Sequence, residues 1–116
     1  MAMLRWMMAV LVLIAGVGNA CAQVSMGPGQ LGLVVNDDDP ASVAAGEYYR
    51  KVRGVPAENV VHVRIPGRPD RIDAPRFHQL KTQIDAALPQ HVQAVLMVWT
   101  APYAVECNSI TSAYTL

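Results

Sequence analysis

Three consecutive carboxylates are the first group in this sequence whose type and spacing could do chemistry. Asp37, Asp38 and Asp39 follow an apolar run and precede Pro40. Carboxylate oxygens are the ligands that Mg²⁺ and Ca²⁺ prefer, so Asp37 and Asp38 are weak candidates for a metal site. Asp39 before Pro40 is also a typical helix start, where negative charge is favourable by about 0.3–1 kcal/mol. Helix capping is the simpler interpretation, so we expect no cofactor, with Mg²⁺ or Ca²⁺ as the alternative.

Cys107 is the second group that could do chemistry. A cysteine becomes a good nucleophile when a neighbouring base or a helix N-terminus lowers the pKa of its thiol. The positions of His62, His78 and His91 do not bring a base to this thiol. The adjacent Glu106 would raise the thiol pKa rather than lower it. Cys107 is therefore only a weak candidate for a catalytic residue, and the sequence contains no complete catalytic constellation.

The N-terminal segment predicts export. Arg5 precedes an apolar run at residues 7–17, which is shorter than the roughly 20 residues that span a bilayer. Ala20, Cys21 and Ala22 then form the small-x-small pattern that signal peptidase recognises. We expect a signal peptide at residues 1–22, no stable membrane span after cleavage, and a periplasmic or extracellular mature chain. Lipidation of Cys21 and a retained anchor are the alternatives.

Charge and cysteine content limit the classes of partner. The chain has 9 Lys and Arg residues against 9 Asp and Glu residues, so it offers no basic surface for nucleic acid and no polybasic membrane patch. After cleavage only Cys107 remains, in an oxidising compartment, so neither a disulfide framework nor a zinc motif can be built from it. We therefore expect no nucleic-acid partner.

The remaining residues predict a leader followed by one α/β domain. Residues 23–30, with their Gly-Pro-Gly, are expected to be a disordered leader, and residues 31–116 to form the domain. Strands are predicted at residues 31–35, 59–65 and 92–99, and helices after Asp39 and Asp73. The expected inner stripe of the first helix is Ala41, Ala44, Ala45, Tyr48 and Val52, and that of the second is Phe77, Leu80, Ile84, Ala87 and Leu88.

The β-α-β-α-β order predicts a parallel sheet in a three-layer, Rossmann-like fold with right-handed crossovers. The alternating second strand suits an edge, so the probable strand order is 2-1-3. That order leaves the uncharged third strand exposed at the other edge, which proteins usually cover. We therefore expect that the chain is the N-terminal portion of a larger domain. The alternative is that a partner, or self-association, covers the third-strand edge.

A cleft is expected where the first and third strands end. In open α/β sheets, ligands bind beyond the carboxyl ends of the strands, where connections diverge to opposite faces. With the order 2-1-3, this point brings the acidic segment beside the loop that follows the third strand. The residues predicted to line the cleft are Asn36, Asp37, Asp38, Tyr103, Glu106, Asn108 and Ser109.

Two segments, LGLVVNDDDPASVAAGEYYRKVRGVPAENVVHVRI and VLMVWTAPYAVECNSITSAY, resemble an uncharacterised exported bacterial family. Its pattern has an Asn after the first strand, a Ser that opens the helix, then Tyr-Tyr, Arg-Gly-x-Pro and Asn, and later Thr-x-Pro-Tyr-x-Val. The matching residues are Asn36, Ser42, Tyr48, Tyr49, Arg53, Gly54, Val55, Pro56, Asn59, Thr100, Pro102, Tyr103 and Val105.

The resemblance implies a context and no reaction. The family occurs in species with exosortase (PEP-CTERM) protein sorting, and it has no established activity. Its members are longer, so the resemblance implies a truncated chain and partners among envelope or extracellular-matrix components.

The opening β-α-β is also similar, more distantly, to the start of gingipain- and caspase-like peptidase domains. In those domains the catalytic His follows the third strand and the Cys follows the fourth. Here no His follows the third predicted strand, and Cys107 comes one connection too early. This similarity therefore implies, as the alternative function, the N-terminal part of a hydrolase whose catalytic half is missing.

Overall fold

The computed structural model describes residues 25–115. The predicted signal peptide, its cleavage site and the alternative lipidation site at Cys21 lie outside the described residues. Within residues 25–115, no helix is long and apolar enough to cross a membrane. The elements in chain order are β1 (Leu31–Asn36), α1 (Pro40–Arg53), β2 (Val60–Val63), β3 (Arg71–Ile72), α2 (Ala74–Ala87), β4 (Ala94–Val98), β5 (Ala104–Val105), β6 (Asn108–Ser109) and α3 (Ile110–Thr115).

The three long strands form a parallel sheet in which β1 is central, with β2 on one side and β4 on the other. Leu33 of β1 lies opposite Val60 of β2 and opposite Leu96 of β4. The predicted α/β class and parallel pairing are confirmed, and β4 corresponds to the third predicted strand. Because β1 is covered on both faces, its side chains from Leu33 to Val35 are almost completely buried.

A second small sheet, β3-β5-β6, was not predicted from the sequence. Its strands have two residues each, which is too short for any hydrophobic period to be visible. Arg71 pairs with Ala104 in parallel, and β5 turns back through Glu106 and Cys107 into β6. This sheet holds the segment after β4 against the start of α2.

The second helix packs on the sheet as predicted. Asp73 caps α2 by accepting a hydrogen bond from the backbone N–H of Arg76, at 2.9 Å. Phe77, Leu80 and Ile84 are buried in one cluster with side chains of β1, β2 and the residue Ile65. These three large side chains fix α2 to its face of the sheet, whereas Ala87, expected in the same stripe, is exposed.

The first helix has the expected ends but not the expected buried face. Asp39 accepts a hydrogen bond from the backbone N–H of Ala41, and Gly54 ends the helix in the left-handed conformation at φ 67°. The buried residues of α1 are Ser42 and Gly46, and every residue of the predicted stripe is exposed. A Cβ at Gly46 would lie 2.5 Å from Val35 Cγ2, so close approach to the sheet selects the small residues for the inner face.

The segment expected to be a disordered leader is partly ordered. Pro28–Gln30 forms a 3-10 turn, and the carbonyl oxygen of Gln30 accepts a hydrogen bond from the N–H of Gln93 at 2.8 Å. The side-chain amide of Asn59 donates to the carbonyl oxygens of Gly29 and Leu31, at 2.9 and 3.1 Å. These bonds correct the expected boundary, because the ordered domain begins before residue 31.

Candidate functional site

Asn36 organises the carboxyl ends of β1 and β2. Its side chain is fully buried, and its Oδ1 accepts hydrogen bonds from the N–H groups of Asp38 (3.1 Å) and Ile65 (3.0 Å). Its Nδ2 donates to the carbonyl oxygen of Ile65 at 3.3 Å. Asn36 therefore joins the end of β1 to the segment that follows β2, and its role in these contacts is structural.

Ser42 connects the same region to β4. Its Oγ accepts a hydrogen bond from the backbone N–H of Asn36 at 2.9 Å, and its hydroxyl donates to the carbonyl oxygen of Val98. Ser42 is 2% exposed, so one hydroxyl satisfies two backbone groups that water reaches poorly. Asn36 and Ser42 both belong to the motif of the family resemblance, and together they hold the ends of β1, β2 and β4 in register.

Each carboxylate of the acidic triplet has a basic partner. Asp37 Oδ1 lies 2.7 Å from His62 Nδ1, and Asp38 Oδ1 lies 2.7 Å from Arg64 Nη2. The hydrogen bond with Asp38 raises the pKa of the Arg64 guanidinium. The carboxylate of Asp39 is 3.7 Å from Arg68 Nε, at the closest pair of atoms.

Asp37 and Asp38, the weak candidates for a metal site, lie beside basic side chains. Asp37 faces the His62 ring, Asp38 faces the Arg64 guanidinium, and Asp39 is used in capping α1. In residues 25–115, no three His, Cys, Asp or Glu side chains are grouped so that they could hold a metal ion. These ion pairs and hydrogen bonds were not predicted from the sequence, because His62 and Arg64 become neighbours of the triplet only through the parallel register of β1 and β2.

A groove of about 290 Å³ lies at the carboxyl ends of β1 and β4. It contains the start of α1 and the residues after β4, so the structure does bring Thr100 beside Asp39 and Ser42. Its wall is predominantly apolar. The lining residues are Asp39, Ala41, Ser42, Ala45, Val98, Trp99 and Thr100.

The later residues of the predicted cleft lie in a different region. The N–H of Tyr103 donates to the carbonyl oxygen of Asp70 at 3.0 Å, and the N–H of Glu106 donates to that of Ile72 at 3.1 Å. Asn108 and Ser109 form β6 on the same small sheet, and all four side chains are exposed. The predicted pairing of these residues with Asn36, Asp37 and Asp38 is therefore not seen in the described contacts.

The thiol of Cys107 is exposed in the turn between β5 and β6. The neighbouring Glu106 has a positive φ of 52°, and its carboxylate accepts a hydrogen bond from the N–H of Ala74 at 3.3 Å. Glu106 therefore faces the start of α2. Among the described residues, no histidine forms a hydrogen bond with Cys107, so the geometry adds no base to the thiol.

The other motif residues lie along α1, at the amino end of the sheet and in the segment after β4. Tyr48 is 71% exposed, whereas Tyr49 is half-buried with Arg53 5.8 Å from the centre of its ring. Asn59 is fully buried, and its Oδ1 has no hydrogen-bond partner in the described residues. Pro102 is buried, and its carbonyl oxygen accepts a hydrogen bond from Trp99 Nε1 at 2.9 Å.

The edges of the three-stranded sheet differ in charge. On β2, His62 is exposed beside Asp37, and Arg64 follows the strand beside Asp38. On the other side, β4 pairs only with β1 among the described residues, and it has no charged residue. Leu96, in the middle of β4, is 38% exposed.

The side of α1 nearest β4 is apolar and exposed. Ala41 and Ala45 line the groove with Val98, and Tyr48 and Val52 continue the same helical row at 71% and 61% exposure. We call Ala41, Ala45, Tyr48 and Val52 the α1 flank. The opposite side of the helix carries Val43, Glu47 and Arg50 and faces a groove of about 180 Å³ over β2.

Comparison with known proteins assigns no family to this geometry. No protein-family model matches the chain, and no curated protein or solved structure matches it either. A proposal of function therefore rests on the contacts of residues 25–115 and on the family resemblance of the sequence.

Proposed function

We propose that this protein is an exported α/β domain of the bacterial envelope or extracellular matrix that binds another polypeptide by extending its sheet at β4. The observation that carries the proposal is the uncharged outer edge of β4 beside the exposed α1 flank. An added strand would supply hydrogen-bond partners for the outer backbone groups of β4, as in other cases of sheet extension.

The contrast between the two edges supports this use of β4. Charged side chains on an edge strand discourage pairing with other chains, and β2 carries His62 with Arg64 just beyond it. The sequence of β4 is Ala-Val-Leu-Met-Val, which includes two Val residues of high β-propensity and has no charge. The β2 edge, with a polar side chain on the strand and a cation just beyond it, is therefore less suited to pairing than the uncharged β4 edge.

The α1 flank would cover one face of the added strand. A strand paired with β4 lies about 4.8 Å beyond it, on the side where Tyr48 and Val52 project. Apolar side chains on that strand would remove these two side chains from water, which is favourable by about 25 cal/mol per Å² of apolar surface. The added strand would widen the middle layer of the domain, which already has α1 on one face of the sheet and α2 on the other.

The alternative proposal is the N-terminal part of a caspase- or gingipain-like hydrolase, with the catalytic half on another stretch of polypeptide. The groove beside Ser42, Val98 and Thr100 favours it, because ligands of open α/β sheets bind at this end of the strands. In that case β4 would also receive a strand, and Cys107 would not be the nucleophile.

Site-specific photo-crosslinking of the full chain, produced in an exporting bacterium, tests the pairing. A photoreactive residue at position 96 should form an adduct with a polypeptide, whereas the same residue at position 43 should not. Leu96 and Val43 are matched in exposure, at 38% and 37%, but lie on opposite sides of α1. Adducts that are absent at position 96, or equally abundant at both positions, would overturn the proposed sheet extension.

Export has its own test. The periplasmic or secreted protein should have an intact mass that corresponds to a chain starting at Gln23. A chain that stays in the cytoplasm with residues 1–22 attached would overturn the proposed location, and a diacylglycerol adduct on Cys21 would replace simple cleavage by lipidation.

A further inference from the structure

We infer that the polypeptide that pairs with β4 is a second copy of this chain, arranged antiparallel about a twofold axis at the sheet edge. The inference rests on the proposed sheet extension and names its occupant. Three features of the described residues carry it: the two faces of β4, the sizes of the side chains along the α1 flank, and the direction of the α1 helix dipole.

The faces of β4 require a strand that is apolar on both sides. Leu96 and Val98 lie opposite Leu33 and Val35 in the parallel register, so they share the face on which Val35 contacts α1. Val95 and Met97 pack on the opposite face, with the cluster beneath α2. A second β4 satisfies this requirement. A twofold axis perpendicular to the sheet also leaves α1 on the same face in both copies.

The α1 flank is complementary to itself only when two copies are antiparallel. Its first half carries the small Ala41 and Ala45, and its second half carries the large Tyr48 and Val52. Antiparallel helices place the large half of one flank against the small half of the other, whereas parallel helices place large against large. Because α1 contacts both β1 and β4, strand spacings of about 4.8 Å put the two helix axes about 10–14 Å apart. Tyr48 has the size to bridge this distance.

The dipole of α1 favours the same orientation. In the antiparallel pair, the positive N-terminus of each helix lies beside the negative C-terminus of the other, whereas in a parallel pair like ends would be adjacent.

The mass of the full chain in solution, purified after export, tests the second copy. Light scattering and sedimentation over a range of concentrations should give twice the chain mass for the natural protein and for the control Val43→Lys. Leu96→Lys should raise the concentration for half-association by more than about tenfold, because each copy adds a cation to the shared edge. A monomer at all concentrations, or an association unchanged in Leu96→Lys, would overturn the inference.

A second variant separates loss of pairing from loss of folding. Tyr48→Glu changes a side chain that is 71% exposed and outside the sheet, so the monomer should keep its circular dichroism and melting temperature while association weakens by a similar factor. An association that Tyr48→Glu leaves unchanged would also overturn the inference, because the two flanks would then not meet.

Disulfide crosslinking tests the orientation in a Cys107→Ser background. In an antiparallel pair, Tyr48→Cys near the middle of the helix should crosslink with its own copy, and Ala41→Cys near one end should not. A mixture of Ala41→Cys and Val52→Cys should crosslink, because opposite ends of the flank meet. Self-crosslinking at position 41 as efficient as at position 48 would indicate parallel pairing and overturn the twofold arrangement.

The photo-crosslink at position 96 distinguishes this inference from the function on which it rests. An adduct of twice the chain mass supports the second copy. An adduct only with a different polypeptide overturns the second copy and leaves the proposed sheet extension standing. Without any adduct at this position, both fail.

Discussion

The two long helices have 14 residues each and begin alike, with an Asp N-cap and a proline in the first turn, yet they attach to the sheet in different ways. Helix α2 inserts the large side chains of Phe77, Leu80 and Ile84 into the core. Helix α1 buries only Ser42 and Gly46 and leaves its apolar row in water. One helix is held by volume and hydrophobic burial, and the other by close approach and hydrogen bonding.

The difference shows that an apolar stripe on a helix does not by itself identify the face that packs on the sheet. On α2 the stripe and the packed face largely coincide. On α1 they are separate, and the stripe borders the open side of β4. The apolar row of α1 therefore indicates a second contact surface, in addition to the inner face that Gly46 defines.

The largest expected effect on stability is in α2, which is held to the sheet by the burial of large side chains. Ile84→Ala should lower the free energy of unfolding by about 2–5 kcal/mol, because Ile84 is fully buried and its loss leaves a cavity. Urea denaturation followed by circular dichroism measures the change. Ile84→Val, which removes one methylene, should cost only about 0.5–1.5 kcal/mol. Equal losses in both variants would contradict a volume-based attachment of α2.

A smaller loss is expected where α1 approaches the sheet. In an exposed helix, replacing Gly by Ala stabilises by about 0.5–1 kcal/mol. At Gly46 the new Cβ would lie 2.5 Å from Val35 Cγ2, and Val35 is only 2% exposed. We expect Gly46→Ala to destabilise by about 1–3 kcal/mol instead, because Val35 or the helix must move. Chemical denaturation checks the sign, and a stabilised variant would show that α1 is not held close to β1.

The hydrogen bonds of Ser42 should contribute less than these packing contacts. Ser42→Ala leaves the N–H of Asn36 and the carbonyl oxygen of Val98 without the partner that both use. The expected destabilisation is near the lower end of about 1–3 kcal/mol, because water can enter from the groove beside Thr100. Ala44→Ser, on the exposed side of the same helix, is the control and should be close to neutral. Equal free energies of unfolding in the two variants would show that Ser42 does not help to hold α1 on the sheet.

The features predicted correctly from the sequence were those that local chemistry determines. The caps at Asp39 and Asp73 and the left-handed end at Gly54 follow from residue type and neighbours. The parallel sheet follows from the alternation of strands and helices. The buried row of α2 was found because its large side chains have nowhere else to pack.

The features that were missed depend on contacts between distant segments. The pairing of Asp37 with His62 and of Asp38 with Arg64 follows from the strand register, which no local pattern indicates. The bonds of Asn59 to Gly29 and Leu31 join residues about 30 positions apart in sequence. No local pattern indicates such bonds, so the start of the ordered domain was predicted too late in the chain. The later cleft residues lie away from the acidic triplet because β5 pairs with β3, whose two residues give no periodic signal.

The smallest expected effect is on the α1 flank of the monomer. Tyr48→Ser and Val52→Ser should change the free energy of unfolding by less than about 0.5 kcal/mol at low protein concentration, because both side chains are mostly exposed and the three residue types have similar helix propensities. If the flank pairs with a second copy, the same substitutions should become destabilising as the concentration rises, since binding to the folded state adds stability by mass action. Thermal unfolding at several concentrations measures both effects. A loss above about 1 kcal/mol at the lowest concentration would show that these side chains stabilise the monomer, and would reverse the distinction drawn between the flank and the inner face of α1.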